Sequence, residues 1–339
     1  MDLSLRPRIF ASRRHRTAWL ECGLADGPLL IFLHGWPSTA IVWRAQLRRF
    51  AAAGWRCVAP DLRGYGGSTV HADPAAYTVR ETVADLCELH DGLGGAPAVW
   101  VAHDWGSPVA WAIAAHHPER CRGVASLCVP YLARGFALPT LLPLADRARY
   151  PEDRYPAAQW DYWLFYREHF AQAAHDFEAD VAATLAVLYR RTPREALDAP
   201  SPTATVRARG GWFGAAHRAP AIPRDPTMLS DADFDALVAA FAKTGFSGPD
   251  AWYLHDDDNL AFAAAAPNGG RLTLPALFVH AARDVVCTTV DGRLAEPMRA
   301  DCADLTEATI DAGHFVMQER PDDVNDALAG WLTRFEPGT

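Results

Sequence analysis

Val101-Ala102-His103-Asp104-Trp105-Gly106 is the most informative stretch of this chain. It has the spacing of a nucleophile elbow, in which small residues stand two positions before and two positions after the reactive side chain. Ala102 and Gly106 are small, and Asp104 takes the place where most such elbows hold serine. A carboxylate is a weak nucleophile toward esters, because the product would be an anhydride, but it can attack a strained or activated sp³ carbon. The stretch therefore favours opening of a C–O or C–halogen bond over cleavage of an ester.

The segments that flank Asp104 are typical of a strand, a sharp turn and a helix. Ala98–Val101 is a short apolar run that predicts a buried strand. After the turn, Pro108 stands at a first-turn position, and Val109–Ala115 is apolar and long enough for a helix. The alternative is that Asp104 only caps this helix. We favour the role of nucleophile for Asp104, because the rest of the chain supplies the other residues that such a reaction needs.

Two glycine-containing turns upstream also follow apolar runs. Leu29–Leu33 leads into His34-Gly35-Trp36-Pro37. The backbone N–H of Trp36 in this turn can face a developing oxyanion, with the N–H of Trp105 as a second donor. The later loop Asp61–Ser68 is rich in glycine but lacks the lysine and the spacing of phosphate-binding motifs, so we interpret it as structural.

An acid and a histidine follow the elbow in a fixed order. Ala276–His280 is an apolar run, and Asp284 lies on the loop after it. Asp311–Phe315 then places His314 on a loop before the last predicted helix. The order nucleophile, acid, histidine is that of the α/β-hydrolase triad. We therefore predict a catalytic triad of Asp104, Asp284 and His314.

These motifs together resemble the epoxide hydrolase group of the α/β-hydrolases, over the chain from about Thr17 to Phe335. The resemblance implies an α/β-hydrolase fold, with a mostly parallel central sheet flanked by helices and an inserted helical cap, or lid. It also implies that Asp104 forms an alkyl ester with an epoxide carbon. Asp284 and His314 would then activate the water that hydrolyses this ester.

The lid decides between members of this family, because opening an epoxide expels an alkoxide that must be protonated. The epoxide hydrolases supply two lid tyrosines, in segments that resemble Trp160-Asp161-Tyr162 and Gly245–Tyr253 here. A phenol is neutral at pH 7 and donates one hydrogen bond, so it suits this role. We therefore predict Tyr162 and Tyr253 as the acids. The family usually continues Trp-Tyr-Arg-Asn, whereas this chain reads Leu254-His255 after the tyrosine, which leaves the outer lid contacts open.

Two other functions stay open at this point. A haloalkane dehalogenase would share the aspartate elbow and the triad, but that family often has asparagine where Trp36 stands. The related fluoroacetate dehalogenases carry arginine where Trp105 stands. A catalytically silent α/β-hydrolase fold used for binding is the third hypothesis. A binding scaffold has no physical need for all three triad residues, and turnover of any epoxide would exclude it.

The strand and helix patterns predict three segments. Residues 1–130 form the first part of the α/β core, residues 131–267 form the helical cap, and residues 268–339 form the second part of the core. The cap segment is rich in aromatic residues and in proline-rich stretches. Ser230 and Asp233 within it resemble a capping box of a helix that ends at Gly245.

Composition agrees with a soluble enzyme, and the aromatic content of the lid indicates an apolar pocket for the small epoxide that the resemblance implies. The chain has 339 residues, half of them hydrophobic, and a formal net charge of −9, which argues against nucleic acid as a partner. No apolar run is long enough to span a membrane, and we expect no metal and no cofactor. The seven cysteines lack metal spacing, so we predict buried thiols and a cytoplasmic enzyme. The oligomeric state is left open, with a homodimer as the assembly that we consider.

Overall fold

The structure is a computed structural model that describes residues 3–335. The outermost residues of the two predicted core segments, 1–2 and 336–339, lie outside this range. The described residues form one mixed sheet of eight strands, in the order β1-β2-β4-β3-β5-β6-β7-β8. The strands are β1 (Arg6–Ala11), β2 (Arg16–Cys22), β3 (Leu29–Leu33), β4 (Arg56–Pro60), β5 (Ala98–His103), β6 (Cys121–Leu127), β7 (Leu272–Ala281) and β8 (Cys302–Ile310).

The sheet is parallel except at one edge. Strand β2 pairs antiparallel with both β1 and β4, and the pairs from β4 through to β8 are parallel. Every residue of the central strands β3 and β5 is buried. Strands that are buried on both faces require helices on both sides of the sheet. The predicted α/β-hydrolase fold class is therefore confirmed.

The helices divide into those that flank the sheet and those that lie between β6 and β7. Helix α1 contacts α13, and helix α2 contacts α3. In chain order, the helices are α1 (Arg44–Ala52), α2 (Val79–Gly92), α3 (Gly106–His116), α4 (Leu138–Leu141), α5 (Asp161–Glu168), α6 (Phe170–Glu178), α7 (Val181–Leu188), α8 (Asp231–Thr244), α9 (Ser247–Ala251), α10 (Asp256–Ala264), α11 (Glu296–Asp301), α12 (Val316–Glu319) and α13 (Pro321–Leu332).

Residues 128–271 join β6 to β7, and this connection contains helices and irregular segments but no strand. Helix α8 begins where the capping pattern predicts, since Ser230 Oγ accepts a hydrogen bond from the Asp233 N–H. It ends at Gly245, whose φ of 70° lies in the region that glycine adopts without strain. Within residues 3–335, every helix is too short or too polar to cross a lipid bilayer.

Candidate active site

The predicted site residues of the core lie on loops that leave the carboxyl ends of the parallel strands. Trp36 follows β3, Asp104 follows β5, Asp284 follows β7 and His314 follows β8. The carboxyl ends of neighbouring parallel strands meet at one edge of a sheet, which is where open α/β sheets bind ligands. The fold therefore brings together residues that are up to 278 positions apart, counted from Trp36 to His314.

Asp104 sits on a tight turn between β5 and α3. Its φ is 50°, a left-handed conformation that is uncommon for residues other than glycine. A Cβ at Gly106 would lie 2.5 Å from the carbonyl oxygen of Leu33, so only glycine lets α3 start this close to the end of β3. This backbone strain at Asp104 is typical of a nucleophile held at the top of the sheet.

The turn after β3 supplies an N–H to the Asp104 carboxylate. The Trp36 backbone N–H donates to Asp104 Oδ1 at 2.6 Å. A Cβ at Gly35 would lie 2.2 Å from the same oxygen, so glycine is required for this close approach. The Trp105 backbone N–H also acts on this carboxyl group, because it helps to lower the pKa of Asp104. The two predicted oxyanion donors thus lie at one carboxyl group.

The loop Asp61–Ser68 is hydrogen-bonded to the turn after β3 and stabilises it. His34 Nε2 accepts a hydrogen bond of 3.0 Å from the Leu62 N–H, so its Nδ1–H donates to the Gly35 carbonyl oxygen at 2.9 Å. The Asp61 carboxylate accepts hydrogen bonds from two backbone N–H groups, those of Ala40 and Gly67. These contacts are structural, in line with the interpretation of this loop from its sequence.

His314 lies between the two carboxylates. Its Nδ1 is 2.7 Å from Asp284 Oδ2, and its Nε2 is 3.3 Å from Asp104 Oδ2. Asp284 Oδ1 accepts hydrogen bonds from the N–H groups of Val286 and Cys287, at 2.8 and 2.9 Å, which fix the carboxylate. This is the geometry of an acid that orients a histidine toward a nucleophile.

The charges of the three groups support one another. Burial opposes protonation of His314, but the Asp284 and Asp104 carboxylates raise its pKa to about 10. Burial would raise the pKa of Asp104 and of Asp284, yet the adjacent His314 lowers both below their ordinary values. At pH 7 the site therefore holds two carboxylates and one imidazolium.

His103 and Cys128 fix the backbone of the histidine loop. His103 Nε2–H donates to the His314 carbonyl oxygen at 2.7 Å, and Cys128 Sγ lies 3.1 Å from the same oxygen. Burial lowers the pKa of His103 to about 4, so this histidine is neutral at pH 7. His103 therefore positions His314 without competing with it for a proton.

The carboxyl group of Asp104 opens into a cavity of about 170 Å³ between the core and the connection from β6 to β7. Both predicted acids line this cavity, with ring centroids 5.4 Å apart. Burial raises the pKa of Tyr162 and of Tyr253 well above its usual range, so both phenols are neutral. The cavity is lined by Trp36, Asp104, Tyr162, Leu188, Arg190, Thr192, Thr203, Trp212, Tyr253, Val286, His314 and Phe315.

Several of these cavity residues lack a sequence pattern that would have predicted them. Trp212 stands in an irregular segment with no periodic pattern, and Leu188 ends an apolar helix, so neither carries a local signal. Val286 and Phe315 are exceptions, because each lies within two residues of a predicted triad member. Proximity to Asp284 and His314 in the sequence would have found them.

Among residues 3–335, two groups of three side chains have spacings that a metal ion could use, but both depend on His314. They are His103, Cys128 and His314, and Asp284, Cys287 and His314. Each ring nitrogen of His314 is already within 3.3 Å of a carboxylate oxygen of Asp284 or Asp104. The donor set is therefore explained by the triad, and we assign no metal site to it.

Comparison with known proteins gives consistent matches over most of the chain. The profile of the family described as alpha/beta hydrolase fold matches residues 28–321. Epoxide hydrolase A of Mycobacterium tuberculosis is 35% identical over 320 residues, which cover 94% of each chain.

Solved structures give the same result. Epoxide Hydrolase A from Mycobacterium thermoresistibile superposes with a TM-score of 0.79 at 30% identity, covering 97% of this chain and 98% of the other. An epoxide hydrolase from an endophytic Streptomyces has a TM-score of 0.80 at 30% identity, covering 98% of this chain and 96% of the other.

Proposed function

This chain belongs to the α/β-hydrolase fold family and, within it, to the epoxide hydrolases, and from that premise we infer which of its residues perform the reaction. The enzyme converts an epoxide and water into a vicinal diol through an alkyl ester on an aspartate. One observation carries the assignment of residues. An ionised Asp104, held at Oδ1 by a backbone N–H, opens into the same cavity as two neutral phenols.

In the first step, Asp104 attacks an epoxide carbon. Oδ1 is occupied by the Trp36 N–H, so the attacking atom is Oδ2. A bond forms between Oδ2 and carbon, the carbon–oxygen bond of the ring breaks, and its electron pair stays on the epoxide oxygen. Tyr162 or Tyr253 donates a proton to this oxygen. The product is an alkyl ester that carries a neighbouring hydroxyl.

In the second step, water hydrolyses the ester. Loss of the Asp104 charge lowers the pKa of His314, which gives its proton to the phenolate left by the first step. The neutral imidazole then takes a proton from water as the water oxygen attacks the Asp104 carboxyl carbon, and Asp284 stabilises the imidazolium that forms again. Negative charge develops on Oδ1, where the N–H groups of Trp36 and Trp105 stabilise it. Collapse of this intermediate breaks the bond between the carboxyl carbon and Oδ2, His314 returns the proton to Oδ2, and the diol leaves with that oxygen while the oxygen from water stays on Asp104.

The site favours an epoxide over a haloalkane as substrate. A leaving halide needs N–H donors and no proton, whereas an alkoxide needs an acid. The Trp36 indole N–H, one candidate halide donor, is already donated to Asp250 Oδ1 at 2.9 Å. The two phenols are placed to serve an alkoxide.

We also propose the finer features of this enzyme. Residues 131–267 form a cap inserted between core segments 1–130 and 268–339, which the absence of strands from residues 128–271 supports. The aromatic and aliphatic lining of the cavity supports an apolar substrate. The thiols of six cysteines form no disulfide, which supports the cytoplasm as the compartment; they are Cys57, Cys87, Cys121, Cys128, Cys287 and Cys302. A homodimer stays a prediction that light scattering would test.

His314→Gln tests the assignment of residues, because the first step needs no base and the second does. We expect this variant to open one epoxide per active site and then stall, with an adduct of one substrate mass on the peptide that carries Asp104. Intact and peptide mass spectrometry after mixing with styrene oxide measures this adduct. Asp104→Asn is the control and should form no adduct.

The fate of the water oxygen gives a second readout for the wild-type enzyme. In one turnover in H₂¹⁸O, with enzyme in excess, the first diol should be unlabelled and Asp104 should gain ¹⁸O. A His314→Gln variant that binds substrate without forming an adduct, or a labelled first diol, would refute the ester on Asp104.

A further inference from the structure

Asp250 is a buried carboxyl group that the reaction described above does not use. It lies on α9 in the cap and is fully buried. Its Oδ1 accepts the hydrogen bond of 2.9 Å from Trp36 Nε1, which belongs to the turn after β3 in the core. This bond therefore joins the cap to the residue whose backbone N–H donates to Asp104.

The surroundings of Asp250 disfavour its ionised form. Burial raises the pKa of this carboxyl well above its usual range, and the Trp36 hydrogen bond offsets the rise only in part. Its second oxygen, Oδ2, has no hydrogen-bond partner within residues 3–335. A buried carboxylate with an unpaired oxygen is poorly solvated, so this arrangement also disfavours the ionised form. A neutral carboxyl accepts through its carbonyl oxygen, as a side-chain amide does.

The hydrogen bond to Asp250 is the directional contact of the Trp36 ring. An indole has a single N–H donor. Four aromatic side chains also lie beside the ring, with centroid distances of 5.4 to 6.4 Å, and such contacts tolerate sliding and tilting; they are Tyr166, Phe177, Trp212 and Tyr253. Only two side-chain torsions separate the indole of Trp36 from its backbone. A hydrogen bond that fixes the indole therefore restricts the position of the Trp36 backbone N–H.

We propose that Asp250 is a positioning residue that holds the Trp36 backbone N–H on Asp104 Oδ1 and thereby accelerates hydrolysis of the alkyl ester. The inference rests on the oxyanion-hole role proposed above for Trp36. The two steps need this N–H differently. In the first step negative charge leaves the Asp104 carboxylate, whereas in the second step it develops on Oδ1.

Asp250→Leu and Asp250→Asn test this role through the two separate rates. Excess styrene oxide, rapid quenching and intact mass spectrometry give both rates. We expect Asp250→Leu to slow ester hydrolysis about tenfold, which is less than the loss of rate caused by removing an oxyanion-hole donor. Its ester should accumulate, and its alkylation rate should stay within about twofold of wild type. Asp250→Asn keeps the acceptor, so both rates should stay near those of wild type. Asp176→Leu removes another buried cap carboxyl, which binds His217, and is the matched control for both rates.

Trp36→Phe removes the same hydrogen bond from the other side, so it also serves if Asp250→Leu fails to fold. We expect it to slow hydrolysis selectively, and the double variant with Asp250→Leu to be no slower than the worse single variant. Three results would overturn the role of Asp250. The rate losses of the two single variants could multiply in the double variant, both steps could slow equally, or Asp250→Asn could be as slow as Asp250→Leu. A wild-type enzyme that forms no ester on Asp104 would instead overturn the proposed mechanism, and this inference with it.

Discussion

Asp104 and His314 form an ion pair in the resting enzyme, because His314 has a pKa raised to about 10 and Asp104 a lowered one. His314 is therefore protonated at pH 7 and cannot yet act as a base. Alkylation converts the Asp104 carboxylate into a neutral ester, which removes one of the two negative charges that stabilise the imidazolium. The pKa of His314 must then fall, so that the base becomes available only when it is needed.

This order of events predicts different pH profiles for the two steps. Alkylation should be nearly constant from about pH 5 to 9, because Asp104 stays ionised and His314 stays protonated throughout this range. Ester hydrolysis should rise with pH, with an apparent pKa below 10. Quenched-flow measurement of the ester on Asp104 at each pH separates the two rates. An alkylation rate that follows a group titrating near pH 7 would contradict the ion pair.

The two tyrosines are expected to cover for each other in part. Tyr162→Phe and Tyr253→Phe should each slow alkylation moderately, because the remaining phenol can still donate a proton to the alkoxide. The double variant should nearly stop alkylation, at a cost of roughly 3 kcal/mol or more in transition-state stabilisation. Single-turnover rates with styrene oxide measure this loss.

Tyr166→Phe is the matched control for the tyrosine variants, because Tyr166 packs on Tyr253 but does not line the cavity. Full epoxide activity in the double variant would remove both phenols from the mechanism and would favour the haloalkane alternative. Any haloalkane turnover should be less affected, since a halide needs no proton.

Residues in short motifs could be placed from the sequence, and residues that act across the chain could not. Asp104, Asp284 and His314 each follow a strand of a parallel sheet, and that topology alone requires them to meet at one edge. Asp250 carries no comparable signal, because its partner Trp36 lies 214 positions away and the contact depends on how the cap packs.

At the level of elements, α8 ties the cap to the core through its first turn. Ser230 Oγ accepts from the Asp233 N–H and donates to the Asp233 carboxylate at 2.9 Å. Asp233 in turn pairs with Arg44 at the start of α1, at 2.7 Å. Ser230, the N-cap of α8, thus also orients the ion pair of Asp233 and Arg44 between the cap domain and the core.

Ser230→Ala should therefore destabilise the protein by about 1 kcal/mol, the usual cost of a lost helix cap. For a chain of this size we expect a fall in Tm of about 1–2 °C. Thermal unfolding followed by circular dichroism measures the change. Asp235→Ala, at an exposed position of the same helix, is the matched control and should change Tm by less. An equal effect of the two substitutions would assign Ser230 no special role.

The elements that the sequence predicted correctly are those with a local pattern. The apolar runs gave β3, β5 and β7, and the capping pattern at Ser230 gave α8. Much of the cap consists of short 3₁₀ turns such as Pro202–Thr205 and Gly214–Ala216. Such segments have neither the period of a helix nor that of a strand, so their positions follow from packing and not from local sequence.

For the whole molecule, a buried histidine that does not line the cavity links stability to pH. Burial and the adjacent Arg63 lower the pKa of His15 to about 3. The unfolded chain takes up a proton at this residue below its ordinary pKa of 6.5, whereas the folded protein resists it. Stability from His15 is therefore complete above pH 6.5 and is lost as the pH falls from 6.5 toward 3.

His15→Gln should remove this dependence. As the pH falls from 6 to 4, the free energy of unfolding of the variant should rise relative to that of wild type, by about 1 kcal/mol per pH unit. Urea unfolding at several pH values measures the difference, and epoxide hydrolysis at pH 7 should be unchanged. His175→Gln, at an exposed position, is the matched control for loss of a histidine. A difference that stays constant with pH for His15→Gln would mean that His15 is not held neutral.

Strands β6 and β7 are neighbours in the sheet, although residues 128–271 separate them in the chain. During synthesis the first six strands leave the ribosome well before β7 does. At roughly 5–20 residues per second, the roughly 140 intervening residues take about 7 to 30 s to be made. For that time β6, whose last five residues are buried in the folded protein, presents an unpaired edge that can template aggregation. The interval between translation of β6 and of β7 is therefore when the nascent chain most needs a chaperone or early folding of the cap over this edge.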